Sequence, residues 1–471
     1  MNEPKRTSAA RPSSQLSRRR FLFTGLSGLA GLSLPAAFSK PGIAIESGNT
    51  GRSLIVEKID RVTLRVPYRE VPKRAMGKEL PHWRYSEVFE VHLKSGHAGF
   101  GETMLYYTWG ITNDEDIARA LGKNAASLMW DDSLGAGLQM ALFDAVAKTA
   151  EVPIHALLGQ QVHEKTPLSW WNIDTSAADM ASECREAHRL GYMAYKTKGR
   201  PWFDVYEQLA QATKVVPESF KIDMDFNDTL RDADRAIPIL KELEKYPHVD
   251  IYETPIPQGM IADNQRIRAA TRVNIAMHYG SPSPSVALKE EVCDGFVIGG
   301  GATRVTQQAH VAAMADKPFW LQLTGTGITA AFSLHFGAVS SHARWPAVNC
   351  HQLYTHTLLT EPIPVVDGFA DVPDEPGLGY ELDRDAIERF RVEKPKERPD
   401  PPRLLETTWS SGRKMYIANN GEVNFLLNAA NRGKIPFYEP GADTKLVPND
   451  GSQDWRDLYT KARSEPVFVD A

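Results

Sequence analysis

Between residues 167 and 300 short apolar stretches alternate with amphipathic ones at a nearly constant interval. "MAYKTKG", "FKIDMDFN", "VDIYETPIP" and "VNIAMHYG" read as strands, and "FDVYEQLAQATKVV", "RDADRAIPILKELEKY" and "DNQRIRAAT" between them read as helices. The polar residues at the four strand ends, Lys198, Asp225, Glu253 and His278, are spaced 27, 28 and 25 apart. A strand that crosses over through a helix and returns parallel needs about this much chain, and its repetition is the rhythm of a (β/α)8 barrel. "PLSWWNI" opens the series, and less regular units around "CDGFVIGGG", "KPFWLQLTGTG" and "PAVNCHQL" continue it. A doubly wound open sheet would carry a Gly-rich phosphate turn after an early strand, which this chain lacks. "GGGAT" at 299–303 comes late and reads as a strand-to-helix turn.

The barrel accounts for part of the 471 residues. Before it, "LIVEKIDRVTLRVPY" and "YSEVFEVHLKSGHAGFGET" alternate as an antiparallel meander. "DEDIARALGKNAASLMW" and "LGAGLQMALFDAVAKTAEVPIHALLG" then take helical spacing. Residues 54–160 therefore read as an α+β domain, residues 167–392 as the barrel, and residues 393–471, behind the Pro-rich "EKPKERPDPPR", as an extension on the outside. Residues 1–39 contain "SRRRFLFTGLSGLAGLSLPAAFS", a basic cluster followed by an apolar, Gly-rich run and small residues. This reads as an export signal of the twin-arginine type and places the protein in the periplasm. That segment holds six Lys or Arg against one Glu, so a net charge of −5 becomes about −10 without it, which argues against nucleic acid or an anionic membrane surface as partner. Cys184, Cys293 and Cys350 have no metal-type spacing and read as buried apolar residues.

Alternate residues of a barrel strand face the interior, and the C-terminal strand ends carry the site. Ile222, Met224 and Phe226 make the outward apolar row of the "KIDMDFN" strand, which turns Asp223, Asp225 and Asn227 inward. The same count turns Lys196 and Lys198, Glu253, and His278 inward. Four strands thus converge two ammonium groups, several carboxylates and an imidazole, a set too costly to bury uncompensated. A divalent cation held by Asp225, Glu253 and a third group resolves the acidic side, and an anionic substrate resolves the basic one. A lysine that acts as a base must first lose its own proton, and a second ammonium and a dication nearby both favour that loss.

These motifs resemble the enolase superfamily in its mandelate racemase/muconate lactonizing branch. "GLQMALFDAVAKTAEVPIHALLG" is similar to the family's Ala-x-x-Asp…Pro…Leu-Leu-Gly helix, "KTK" to its Lys-x-Lys, "DFN" to its Asp-x-Asn, "YETPIP" to its Glu-x-Pro, and "DEPGLGYELD" to its closing Pro-Gly-Leu-Gly segment. The resemblance covers roughly residues 54–392. It implies a modified TIM-like barrel under an α+β capping domain, a bound Mg2+, a small carboxylate substrate, and self-association of the kind common in the family. It further implies Asp225 and Glu253 as metal ligands and Lys198 as the base that removes a proton α to the carboxylate, assisted by Lys196. The capping loop "REVPKRAMGKELPHWRYSE" would cover the mouth, with Trp83 and Arg84, and Asn227 and Gln352 from the barrel, as substrate contacts.

The chain departs from the family at four strands. His278 stands where an acidic third ligand is usual, and imidazole suits Mn2+ or another transition metal better than Mg2+. "DGFVIGGGATRV" lacks the second base, "WLQLTGTG" lacks a His, and Gln352 beside His351 replaces a Glu. One-base chemistry, as in a sugar-acid dehydratase or a cycloisomerase, needs only Lys198 and an acid from among His278, His351 and Tyr279. A racemase or epimerase would need a second base, and a degenerate barrel would bind its ligand without turning it over.

Overall fold

The computed structural model describes residues 53–107 and 110–470. The expected export segment lies outside the described residues. Strands β1 (Val56–Arg65), β2 (Tyr85–Leu93) and β3 (Ala98–Met104) form an antiparallel sheet in the order β1-β2-β3. Helix Ala136–Thr149 lies against this sheet, and β3 gives it room through Gly99 and Gly101. A Cβ on Gly101 would stand 2.3 Å from the Gly137 carbonyl oxygen, and one on Gly99 2.2 Å from the Ala145 nitrogen. The "AGFGE" spacing is therefore a packing requirement of the cap.

Eight parallel strands follow: β4 (Lys165–Trp171), β5 (Ala194–Lys198), β6 (Lys221–Asp225), β7 (Val249–Glu253), β8 (Asn274–His278), β9 (Gly295–Ile298), β10 (Phe319–Leu321) and β11 (Ala347–Val348). Their order is sequential from β4 to β10, with β11 returning beside β4, so the sheet curls into a nearly closed barrel. The α+β cap over a (β/α)8-type barrel is the architecture that the sequence predicts. The outward row forms as expected, with Ile222, Met224, Ile275 and Met277 fully buried under the surrounding helices. Those helices begin where a short polar side chain accepts from the first turn. Ser176 accepts from Asp179 N, Asp204 from Tyr206 N and Glu207 N, and Asp232 from Arg235 N.

The closing segment returns to the cap. Strand β12 (Phe369–Asp371) runs antiparallel to β4, and Asp144 then accepts from Leu378 N at 2.8 Å and from Phe100 N at 2.9 Å. One buried carboxylate thus ties β3, helix Ala136–Thr149 and the "PGLG" turn together, which is why those separated motifs occur in one chain.

The extension has more structure than its composition suggests. Strands β13 (Leu404–Thr408), β14 (Lys414–Ala418), β15 (Asp443–Val447) and β16 (Val467–Val469) form a second antiparallel sheet in the order β15-β13-β14-β16. Its core residues Leu405, Trp409, Met415, Ile417 and Phe425 pack on Trp202 and Phe203, which follow β5. It reaches the cap as well, where Arg403 donates to the carbonyls of Lys78 and Glu79 at the end of helix Glu70–Glu79. Among the described residues no helix is long and apolar enough to cross a membrane.

Candidate active site at the barrel mouth

Strand register brings the four strand ends together. Lys198 lies opposite Asp225, Asp225 opposite Glu253, and Glu253 opposite Ala276, two residues before His278. The side chains meet as that register requires. Lys198 Nζ contacts Asp225 Oδ2, and Lys196 Nζ contacts Glu253 Oε2 and lies 4.0 Å from Asp225 Oδ2. His278 Nε2 is 2.9 Å from Glu253 Oε1. Asp225 Oδ1 accepts from the backbone N of Asn227 at 2.9 Å, an arrangement that the left-handed backbone of Asn227 and Asp228 (φ 42° and 70°) permits. Asn227 Oδ1 accepts from Lys198 at 3.1 Å and from the buried Arg200 at 2.6 Å.

Burial sharpens the electrostatics. Glu253 is fully buried, and its two oxygens meet Lys196 and His278 as ion contacts without the alignment of hydrogen bonds. Burial alone would lower the basicity of Lys196, but Glu253 and then Asp225 outweigh it and hold that ammonium above its ordinary pKa. The same contact acts on Glu253, where burial is opposed by Lys196 and then His278, and the carboxyl sits below its usual range. Asp223, two residues deeper on β6, has its carboxyl pushed well up by burial and by Asp250. At the mouth the amines of Lys196 and Lys198 thus face the carboxyl groups of Asp225 and Glu253.

Several site residues carry no sequence signal. Gln322 on the chain after β10 accepts from Lys196 at 3.0 Å, and the Trp320 ring lies 4.8 Å from the same ammonium. Cys350 is close enough to Lys196 and Lys198 to feel their charge, although burial pushes its thiol up to about 12. A single polar residue on a three-residue strand has no periodicity to reveal it. A cavity of about 250 Å3 opens from this cluster between cap and barrel, lined by Tyr107, Gln139, His278, Tyr279, Arg304 and Gln322 among others. Trp83 is not among the lining residues; it stacks on Trp171 at 5.7 Å and meets the lining residue Tyr107 edge-on at 5.1 Å.

Three expected site residues lie elsewhere. His351 turns to Tyr192, whose hydroxyl is 3.0 Å from its Nε2, in the layer between barrel and helices. Burial pushes its pKa down to about 4, so it is neutral there. Gln352 donates to the Ser169 carbonyl of β4 at 3.0 Å. The cause is local: β11 has only two residues, and the chain turns at Cys350 with a φ of 62°, which ends the strand alternation that the sequence reading assumes. Arg84 lies over the Tyr68 ring at 5.0 Å and does not line the cavity.

Asp225, Glu253 and His278 are metal donors in chemical type, two carboxylates and an imidazole on adjacent strands, and the unaligned oxygens of the buried Glu253 suit a cation. They are not drawn in tightly. Among the described residues only Asp60, Glu90 and His92 bring three such atoms within 4.8 Å of one another. That trio sits on the cap sheet, where Lys58 pairs with Asp60 and Arg384 with Glu90.

With this geometry established, comparison with known proteins is specific. Residues 179–386 match the family model described as Enolase C-terminal domain-like. The matched stretch falls within the barrel. The chain is 26% identical over 292 residues to D-galactarolactone cycloisomerase of Agrobacterium fabrum, covering 56% of this chain and 74% of that protein. It is 22% identical over 336 residues to arabinonate dehydratase of Saccharolobus solfataricus, covering 64% and 89%. Among solved structures, muconate lactonizing enzyme from Pseudomonas fluorescens superposes with a TM-score of 0.58 at 21% identity, over 72% of this chain and all (100%) of that one. In this barrel Lys196, Lys198, Asp225 and Glu253 occupy neighbouring strands near their C-terminal ends, and the extension lies beyond the matched region.

Proposed function

We propose that this protein removes the proton α to the carboxylate of a small acid, with Lys198 as the base, and completes a dehydration or cycloisomerisation. The observation that carries the reading is the pairing of Lys198 with Asp225 and of Lys196 with Glu253 at adjacent strand ends beside a cavity. The relatives support the reaction type, since they include a cycloisomerase and a sugar-acid dehydratase. Asp225, Glu253 and His278 would hold a divalent metal, Mg2+ or Mn2+. When bound, it supplies positive charge to the carboxylate oxygens that gain electron density as the proton leaves.

The remaining work falls to the chain's own groups. Lys198 is oriented by Asp225 and Asn227, so its Nζ is fixed at the mouth. Lys196, in contact with Glu253 and hydrogen-bonded to Gln322, faces the substrate carboxylate beside Lys198. Tyr279 lines the cavity, and burial keeps its hydroxyl protonated, so it is positioned to give a proton to a leaving group. The stretch after β10 lines the cavity with Gln322, Leu323 and Thr324, none of which can serve as a second base, and this favours one-base chemistry over racemisation. The twin-arginine-type segment assigns the activity to the periplasm, which cell fractionation with Arg18 and Arg19 both replaced by Lys would check.

The deciding experiment incubates the protein with sugar acids and unsaturated acids in D2O and follows the α position by NMR. Deuterium incorporation that disappears in Lys198→Ala is expected. Exchange that survives in this variant would remove Lys198 from its role. Incorporation with both configurations formed would identify a racemase, and binding without exchange a ligand-binding barrel.

A further inference from the structure

The extension meets the barrel at the two loops that follow Lys198 and Asp225. Gly199 and Arg200 come directly after Lys198, and Phe226 separates Asp225 from Asn227. Tyr438 of the extension is buried. Its hydroxyl donates to the Gly199 carbonyl at 2.9 Å and lies 2.6 Å from Thr229 Oγ1, which is itself 2.6 Å from the Phe226 carbonyl oxygen. Its ring lies 6.3 Å from that of Phe226, and Phe226 packs so closely on Gly199 that a Cβ there would stand 2.5 Å from the ring. Arg200 adds a second tie. It donates to the Phe226 carbonyl at 2.9 Å and to Asn227 Oδ1 at 2.6 Å, the oxygen that also accepts from Lys198.

The loop after β6 needs such support. Asn227, Asp228 and Arg231 have left-handed backbone, with φ of 42°, 70° and 71°, and so does Tyr438 at 47°. Residues with a side chain populate this region sparsely, and they stay there where surrounding contacts over-determine the conformation. The extension supplies such contacts beyond Tyr438. The Ala430 carbonyl accepts from Arg231 at 3.0 Å, and the Phe437 ring lies 5.4 Å from the same guanidinium. Resting on the reading of Lys198 as the base, we infer that Tyr438 is a positioning residue for Lys198 and Asn227, and that the extension is a working part of the active site. The Tyr438 hydroxyl holds the residue after Lys198 and, through Thr229, the residue before Asn227, so Lys198 Nζ keeps its place against Asn227 Oδ1. Loss of that hydroxyl frees both loops to shift. A small displacement of a base from the bond it attacks slows the reaction steeply and leaves the binding of the rest of the substrate in place. An appendage that only stabilises the fold would alter unfolding and leave turnover per folded molecule unchanged.

The test compares the full chain with Tyr438→Phe and Thr229→Val, each of which removes one hydroxyl, and with Thr229→Ser, which keeps it. Backbone amide exchange is followed by mass spectrometry in peptides covering residues 199–204 and 226–231, where Gly199 N donates to the Asp225 carbonyl and Asn227 N to the Asp225 side chain. Both hydroxyl deletions are expected to speed exchange there by about tenfold or more, with Thr229→Ser near wild type. With an acid that the wild type deuterates at the α position, kcat is expected to fall about tenfold or more in both deletions at a KM within about twofold, and Thr229→Ser is again expected near wild type. Unchanged amide protection in both deletions would overturn the inference. So would lost protection with kcat unchanged, the signature of a purely structural clamp. If the wild type deuterates no acid, the proposed reaction falls and amide exchange alone decides: faster exchange in both loops would still support the brace on Lys198 and Asn227, and unchanged exchange would remove it.

Discussion

Lys196 and Glu253 are a fully buried ion pair, and such a pair is best understood through what is left when one partner goes. Glu253→Leu strands an ammonium beneath the mouth and is expected to destabilise by about 3–5 kcal/mol, whereas Lys196→Met combined with Glu253→Leu recovers most of that loss. Urea unfolding of the single and double variants measures the difference, and equal destabilisation by both would show that the pair is not the source. Lys198 is less buried, so Lys198→Ala should change the melting temperature little while lowering exchange by about 100- to 10,000-fold. At this scale much of the site was legible. Lys196, Lys198, Asp225, Asn227, Glu253 and His278 were readable because each sits on a strand long enough to display alternation. His351 and Gln352 face Tyr192 and Ser169 instead, because the alternation that would aim them at the mouth stops at the two-residue β11. Arg200, Gln322 and Cys350 were missed because each reaches the cluster from a turn or a short strand, where neighbouring residues do not indicate a direction.

At the scale of elements, the contact between β3 and helix Ala136–Thr149 is the tightest backbone approach described above, and its glycines cannot be exchanged freely. Gly101→Ala places a methyl group within 2.3 Å of a helix carbonyl and is expected to cost about 2 kcal/mol or more by forcing helix and sheet apart. A change below about 0.5 kcal/mol in chemical unfolding would refute this account, since that is the range of an ordinary surface substitution. The barrel strands illustrate a different division. Their number and sequence could be read from the recurring interval, but the pairing of β11 with β4 depends on curvature accumulated over all eight. The extension shows the limit most plainly. Tyr438 donates to the Gly199 carbonyl at 2.9 Å and lies 2.6 Å from Thr229 Oγ1, so it braces the ends of β5 and β6 from outside the barrel. Nothing local to Tyr438 announces partners more than two hundred residues away.

For the whole molecule, pH acts through buried histidines: burial lowers His82, His155, His248, His335 and His351, and three of these shift furthest. Burial lowers His82 to about 4, His335 to about 3 and His351 to about 4. Each remains neutral in the fold while its unfolded counterpart begins to take up a proton near pH 6.5. The unfolded state therefore binds more protons as pH falls, and stability is lost from about 6.5 downward through the folded values. The upper bound is about 1.4 kcal/mol per pH unit for each histidine. Melting temperatures measured from pH 7 to 4 should decline, and His351→Gln should flatten the profile; a profile level over that range would contradict the assignment. By itself the amino-acid order determined the strand–helix repeat, the cap, and the polar residues at four successive strand ends, because strand alternation and helix periodicity are short-range consequences of covalent geometry and apolar burial. Tertiary structure alone decided that the extension seals Trp202 and Phe203, that Gln322 and Cys350 complete the lysine cluster, and that His351 turns away from it. Those outcomes arise from packing between distant segments, whose contacts follow the closure of the barrel and leave no local periodic trace.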